Sequence, residues 1–180
     1  MKVSLDAIKR LREKTSAAIK DVRSALESAG GDEAKALELL RQRGAQIAEK
    51  RQGRATGQGR GQGRVDSYVH HDGRLGALVE VHCETDFVAR TEEFIQFCRD
   101  VAMQVAAMSP RYVQPENVPS DEKMSAEELK AVCLLEQPFV KDQQITVGDL
   151  LKTLIAKTGE SVVVRRFVRF AIGEAPISAQ

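Results

Sequence analysis

The sequence predicts a chain of helices with a smaller β component, divided in two by a basic linker. Three observations carry this. Apolar residues recur at helical spacing over the first 44 residues. Glycine and arginine then remove every regular period up to residue 64. Beyond Val65, two extended runs around Asp72-Gly73 are followed by capped amphipathic stretches and a valine-rich closing run. The expected division is a three-helix unit over residues 1–45, a linker over 46–64 and a second unit over 65–180.

Composition narrows the function classes. Among 180 residues, Lys+Arg number 27 and Asp+Glu 26, so total charge demands neither nucleic acid nor membrane. A hydrophobic content of 42% with 29% charged residues is that of a globular protein. No apolar run approaches the roughly 20 residues that span a bilayer. The opening Met-Lys-Val-Ser-Leu-Asp lacks the apolar core of a secretory signal, so cytoplasmic location is expected. Cys83, Cys98 and Cys133 form no C-x-x-C pair, which indicates neither a disulfide framework nor a zinc site.

Taken in order, Ser4 can cap a first helix with Leu5, Ile8 and Leu11 on one face, and Thr15-Ser16 interrupts it. Val22, Ala25, Leu26 and Ala29 mark a second helix that Gly30-Gly31 ends. Asp32 offers the next cap, and Leu37 and Leu40 give a third stripe ending at Gly44. So small a helical unit is either a binding module or a packing appendage, and its residues alone leave both open. Between Arg41 and Arg64 seven basic residues face one acid, Glu49, and glycines stand at 53, 57, 59, 61 and 63. That composition reads as a flexible linker with a basic edge. An RNA-binding tail is the alternative, but it would ordinarily carry stacking aromatics, and none lies in this stretch.

Val65–His71 and Arg74–Val81 flank Asp72-Gly73, a hairpin signal, although neither run alternates cleanly enough to assign its inward face. His70, His71 and His82 fall here, but adjacent strand residues face opposite ways and no ligand set has a familiar spacing. The same geometry disfavours a thiol–imidazole pair of Cys83 with His82. Thr91 caps a helix opening on Glu92 and Glu93, with Phe94, Cys98, Val101, Val105 and Met108 as a core stripe up to Ser109-Pro110. Ser125–Glu128 forms a capping box ahead of Leu129, Val132 and Leu135. Gln137-Pro138-Phe139-Val140 reads as a surface loop or edge segment. Thr146 caps a helix through Leu150, Leu151, Leu154 and Ile155 to Gly159, and Val162–Phe170 is a third strand. No catalytic motif of the G-x-S-x-G or H-E-x-x-H kind is present, so an enzyme is not expected.

One stretch draws the rest together. Thr85-Asp86-Phe87-Val88 lies where the strand-like run Leu75–Val81 hands over to the helix beginning near Phe94. A carboxylate and a ring at such a junction can project together into another protein. Alternatively, Phe87 is core and Asp86 a turn residue, which general burial statistics favour.

Two long stretches resemble signatures of the translation elongation factor Ts family. Leu11-Arg12-Glu13-Lys14-Thr15-Ser16-Ala17-Ala18, with Asp21 beyond it, is similar to L-R-[ED]-[KR]-T-G-A-G. Glu80-Val-His-Cys-Glu-Thr-Asp-Phe-Val-Ala-Arg90 is similar to E-x-N-C-x-T-D-F-V-[AS]-[RK]. Gly31-Asp32, Leu40-Arg41 through Gly44, Gln137–Val140, Arg169-Phe170 and Ile172-Gly173-Glu174 extend the likeness over nearly the whole chain. Ser16 and Ala18 depart from the signature glycines, Lys20 stands where methionine is usual, and His82 replaces an asparagine.

The resemblance implies an α+β fold: a ubiquitin-associated-like three-helix domain, a linker, and a core of a three-stranded antiparallel sheet packed with helices. It implies a short form with one core module, pairing as a homodimer. It also implies a guanine-nucleotide exchange factor that releases GDP from elongation factor Tu so that GTP can bind, without cofactor, membrane or nucleic-acid partner. On this likeness Asp86 and Phe87 enter the partner's G domain and dislocate its Mg2+ and phosphate site, flanked by Thr85 and Val88. Arg12 and Ile19 contact a helix of that domain, and Lys50 lies near the same interface. With Phe94 and its stripe supplying a core, the projecting role of Phe87 becomes the preferred expectation.

Overall fold

The computed structural model describes residues 3–15, 17, 19–40, 42 and 62–174. The expected linker up to residue 61, with Lys50, lies outside the described residues, as do Ser16, Ala18 and the expected helix end at Gly44.

In the N-terminal unit, helix α1 spans Leu5–Thr15 and α2 spans Ile19–Ser28. The Thr15 hydroxyl donates to Leu11 O (2.7 Å) and accepts from Ala17 N (3.3 Å), closing α1 with its own side chain. Gly30 and Gly31 take positive φ values of 64° and 90°, and Gly31 N donates to Leu26 O (2.9 Å), the long backbone bond of a glycine-terminated helix. The Asp32 carboxylate then accepts from Ala34 N and Lys35 N, capping α3 over residues 33–40. Leu11, Val22, Ala25, Leu26, Ala36 and Leu40 form a small core of this unit's own. Two expected core positions face solvent instead: Leu5 is exposed and so is Leu37, while Ala7 and Ala36 are buried. Alanines let three short helices approach closely, which a second ridge of leucines would prevent.

The second unit is built on a three-stranded antiparallel sheet in the order β1-β2-β5, with β1 Gln62–Val69, β2 Leu75–Cys83 and β5 Val162–Ala171. Strand β1 begins at Gln62, inside the stretch expected as linker, because Gln62, Gly63 and Arg64 pair with Cys83, His82 and Val81. A Cβ on Gly63 would lie 2.2 Å from Val81 O, so this crossing requires glycine. The hairpin turns through residues 71–74. Gly73 has φ 67°, Gly73 N donates to His70 O, and His70 N donates to Leu75 O. That loop length settles the face: Ala77, Val79, Val81 and Cys83 point into the core, and Leu78, Glu80 and His82 point out.

Helix α4, a single turn at Asp86–Ala89, follows β2, and α5 (Glu92–Met108) crosses the inner face of the sheet. Thr91 Oγ1 accepts from Phe94 N at the start of α5, and Ser109 ends it in the left-handed region at φ 49°. The buried face is broader than one stripe and includes Phe97, Ala102 and Ala106. Met108, the last residue of α5, is an exception to the expected stripe and is exposed.

Helix α6 (Ala126–Val132) carries the expected capping box of Ser125 with Glu128, yet none of its residues is fully buried. Strands β3 (Pro138–Phe139) and β4 (Asp142–Thr146) form a small hairpin. The segment expected at the surface is therefore partly interior. Gln137 and Phe139 are buried, because Gln137 donates to Ala131 O (2.6 Å) and accepts from Gln104 Nε2 on α5. Helix α7 (Val147–Thr158) opens on a Thr146–Asp149 capping box and ends at Gly159, φ 71°. No described helix is long and apolar enough to cross a membrane.

Candidate partner-binding site

Strand β2 ends at Cys83, and Glu84-Thr85 lead into the single turn α4. Four residues are too few for a helix to hold itself, since nucleation fixes several dihedrals for one hydrogen bond. Its neighbours hold it. Thr85 is the N-cap, with extended dihedrals (φ −126°, ψ 156°), and its Oγ1 accepts from Val88 N (3.4 Å). Cys83 Sγ donates to Thr85 O (3.1 Å), and Ala89 N donates to the same oxygen (3.3 Å). At the far end, Thr91 Oγ1 and Thr91 N both donate to Val88 O, so the cap of α5 also closes α4.

On this mount the four candidate residues divide sharply. Val88 is buried in the main core, in the cluster that also holds Phe94 and Val81. Phe87, the adjacent residue, is 81% exposed, the most accessible large hydrophobic side chain among the described residues. Exposing a full aromatic ring forgoes about 2 kcal/mol of burial, which is not a cost the fold needs. Asp86 stands next to it, half-exposed, with its carboxylate 3.2 Å from Arg90 Nη2 one helical turn on. That pair is exposed and weak, so the carboxylate is free to change partners. Arg12 and Ile19 lie on α1 and α2 of the N-terminal unit, and both are exposed, Ile19 at 54%.

Beneath the turn, Cys83 is buried and its thiol is pushed up to about 11, chiefly by burial and then by the Glu160 charge. A thiol so protonated is a poor nucleophile at neutral pH. His82 turns to the opposite face and contacts Glu80 Oε1 at 2.6 Å, while Arg166 Nε donates to Glu80 Oε2 at 2.5 Å. No group of three or more His, Cys, Asp or Glu among the described residues is arranged to hold a metal ion.

The contacts that fix this site from behind come from residues distant in sequence. Thr85 N and Thr85 Oγ1 donate to the two oxygens of Glu160, and Ser161 N donates to Glu84 Oε1, across 75 and 77 residues of chain. No local pattern signals them. The Asp86–Arg90 pair, in contrast, was readable from its i,i+4 spacing.

An aromatic ring and a carboxylate are thus displayed together on a braced turn. Comparison with known proteins gives the family. A family model described as Elongation factor TS matches residues 5–131 and 123–174. The elongation factor Ts of Carboxydothermus hydrogenoformans is 46% identical over 96% of this chain and 90% of its own length. Those of Thermotoga petrophila and Rubrobacter xylanophilus are 45% and 44% identical, over 97% and 96% of this chain and 98% and 100% of their own. This chain belongs to the elongation factor Ts family of translation elongation factors.

Proposed function

We propose that this chain is a guanine-nucleotide exchange factor that binds elongation factor Tu carrying GDP, disturbs the Mg2+ and phosphate site, and lets GDP leave so that GTP can bind. The observation that carries this is Phe87, 81% exposed beside a buried Val88 on a turn fixed by its neighbours. Nucleotide on a G protein is held largely through its phosphates and Mg2+, whose octahedral shell tolerates little distortion. A ring inserted near that shell, with Asp86 offered to groups that would otherwise serve the metal or phosphates, favours the nucleotide-poor state. By linkage, the factor then weakens nucleotide by the same ratio that nucleotide weakens the factor. No covalent bond is made or broken, so the protein acts without enzymatic chemistry or cofactor, in the cytoplasm.

Arg12 and Ile19 supply a second contact, with a helix of the G domain, and their exposure on the N-terminal unit supports that role. Lys50 is assigned to the same interface from its sequence position. The chain works as a homodimer, which the outer face of the sheet supports: Val65, Val69, Leu78 and Phe170 are all exposed there on three adjacent strands. Sub-stoichiometric amounts of the chain should discharge labelled GDP from elongation factor Tu in multiple turnovers. Arg12→Ala and Ile19→Ala should raise the concentration needed for half-maximal rate. GDP release that does not respond to the chain at any concentration would end this reading.

A further inference from the structure

We propose that Glu160, on the turn between α7 and β5, is a positioning residue for the Asp86-Phe87 pair. The proposal rests on the exchange reading above and adds to it the group that aims the probe. Glu160 touches neither Asp86 nor Phe87 by hydrogen bond; it acts through Thr85. One carboxylate oxygen accepts from Thr85 N (3.0 Å) and the other from Thr85 Oγ1 (2.6 Å). The same hydroxyl accepts from Val88 N at 3.4 Å, so Glu160, Thr85 and the first turn of α4 form one chain of bonds.

A third bond runs the other way. Glu84 Oε1 accepts from Ser161 N (2.9 Å), so each segment presents a glutamate to the backbone of the other. These three bonds, two in one direction and one in the other, fix both the separation and the rotation of the loop at 84–85 relative to the turn at 160–161. That turn is itself rigid: Gly159 ends α7 in the left-handed region, and Val162 begins β5 fully buried. The orientation of Phe87 is thereby referred to α7 and β5, not only to the strand and helix on either side of it in sequence. A ring that must enter a partner's pocket is sensitive to such referencing, because a misplacement of about 1 Å can cost a hundredfold in rate.

Charge singles out the carboxylate: both of its oxygens accept, one from Thr85 N and one from the Thr85 hydroxyl, and its charge strengthens both bonds. In Glu160→Gln the amide oxygen can keep the Thr85 N bond, but the NH2 can only reverse the hydroxyl bond, so the charge is lost and the hydroxyl proton loses its acceptor while shape and volume are kept.

The test measures GDP release from elongation factor Tu over a range of factor concentrations, together with thermal unfolding. It compares the full-length wild-type chain with Glu160→Gln, Thr85→Val, Thr85→Ser, the double variant Thr85→Val/Glu160→Gln, Phe87→Ala and Ser125→Ala. Expected is a maximal rate lowered about tenfold in Glu160→Gln and in Thr85→Val, with the half-saturating concentration nearly unchanged. The double variant should be no slower than either single one, and Thr85→Ser, which keeps the hydroxyl donor, should restore most of the rate. Ser125→Ala removes a cap on α6 far from the clamp, so it should lower the melting temperature and leave exchange intact. A normal maximal rate in Glu160→Gln, with Phe87→Ala inactive, overturns the positioning role while leaving the probe. Normal rates in Phe87→Ala overturn the probe and this proposal together. Should Glu160→Gln fail to fold, the contrast of Thr85→Ser with Thr85→Val decides the matter alone: equal rates overturn it.

Discussion

Gln104 sits in the C-terminal part of α5, fully buried, and hydrogen-bonds that helix to the β3–β4 hairpin. Its Nε2 donates to Gln137 Oε1 (3.2 Å) and to Pro138 O (3.1 Å), and its Oε1 accepts from Val140 N (2.8 Å). Gln104→Leu keeps the volume and removes all three bonds. The bonds to Pro138 O and Val140 N are only part-buried, so water can replace the lost partner there at smaller cost. Gln137 is 1% exposed, so its Oε1 is left without a partner in the interior. An orphaned buried acceptor costs about 1–3 kcal/mol and the lost part-buried bonds somewhat less, giving a net loss of about 2–3 kcal/mol after the gain from burying leucine. For a chain of this length that lowers the melting temperature by about 6–9 °C. Circular dichroism melting measures it, and hydrogen exchange should find the Val140 amide newly unprotected. Exchange activity at 25 °C should stay normal, because Gln104 lies about three helical turns along α5 from the end that adjoins α4. A melting temperature within about 2 °C of wild type would refute the view that these bonds hold the hairpin.

Other outcomes follow from the same geometry. Glu80 has its carboxyl held below the usual value by Arg166 first and His82 second, so the folded pKa is depressed. Its contribution to stability is present above the ordinary carboxylate value of 4.5 and is lost as pH falls through the lowered value. Glu80→Gln should therefore flatten the acid limb of a plot of melting temperature against pH. A limb unchanged in the variant would remove Glu80 from the account. Burial pushes the Cys83 thiol up to about 11 and the Cys98 thiol to about 12, and Cys133 is raised as well. A chromogenic disulfide reagent at pH 8 should titrate none of them in the native protein and all three after unfolding. Leu78→Lys, at the middle of the outer sheet face, should convert a dimer into a folded monomer in sedimentation equilibrium. A dimer that survives it would move the self-association elsewhere.

Much of the fold was legible because local chemistry decides it. Thr91, Ser125 with Glu128, Thr146 and Asp32 each cap the helix that their side chains and spacing announce. Gly73 and Gly159 take the positive φ values that mark a turn and a helix end. What stayed hidden depends on distant partners. Gln137 looks like a surface residue until Gln104, 33 residues earlier, is found to satisfy it. The first residues of β1 look like linker because their glycine-rich sequence is a demand of the close crossing over Val81, not a sign of missing structure. At the candidate site, the sequence around Phe87 announced a junction, and resemblance suggested its use. The exposure of the ring and the brace from Glu160 needed three dimensions, since 75 residues separate the two halves of the clamp.

On the exchange reading, Phe87 is a probe and not a structural residue. Its ring is 81% exposed, so Phe87→Ala removes almost no core packing, and the melting temperature should change by less than about 2 °C. The decisive measurement is the maximal rate of labelled GDP release from elongation factor Tu at saturating Phe87→Ala. The expected result is a loss of about a hundredfold, or about 2.7 kcal/mol of transition-state stabilisation, in a protein that melts like the wild type. A wild-type rate in that variant would contradict the account at its root.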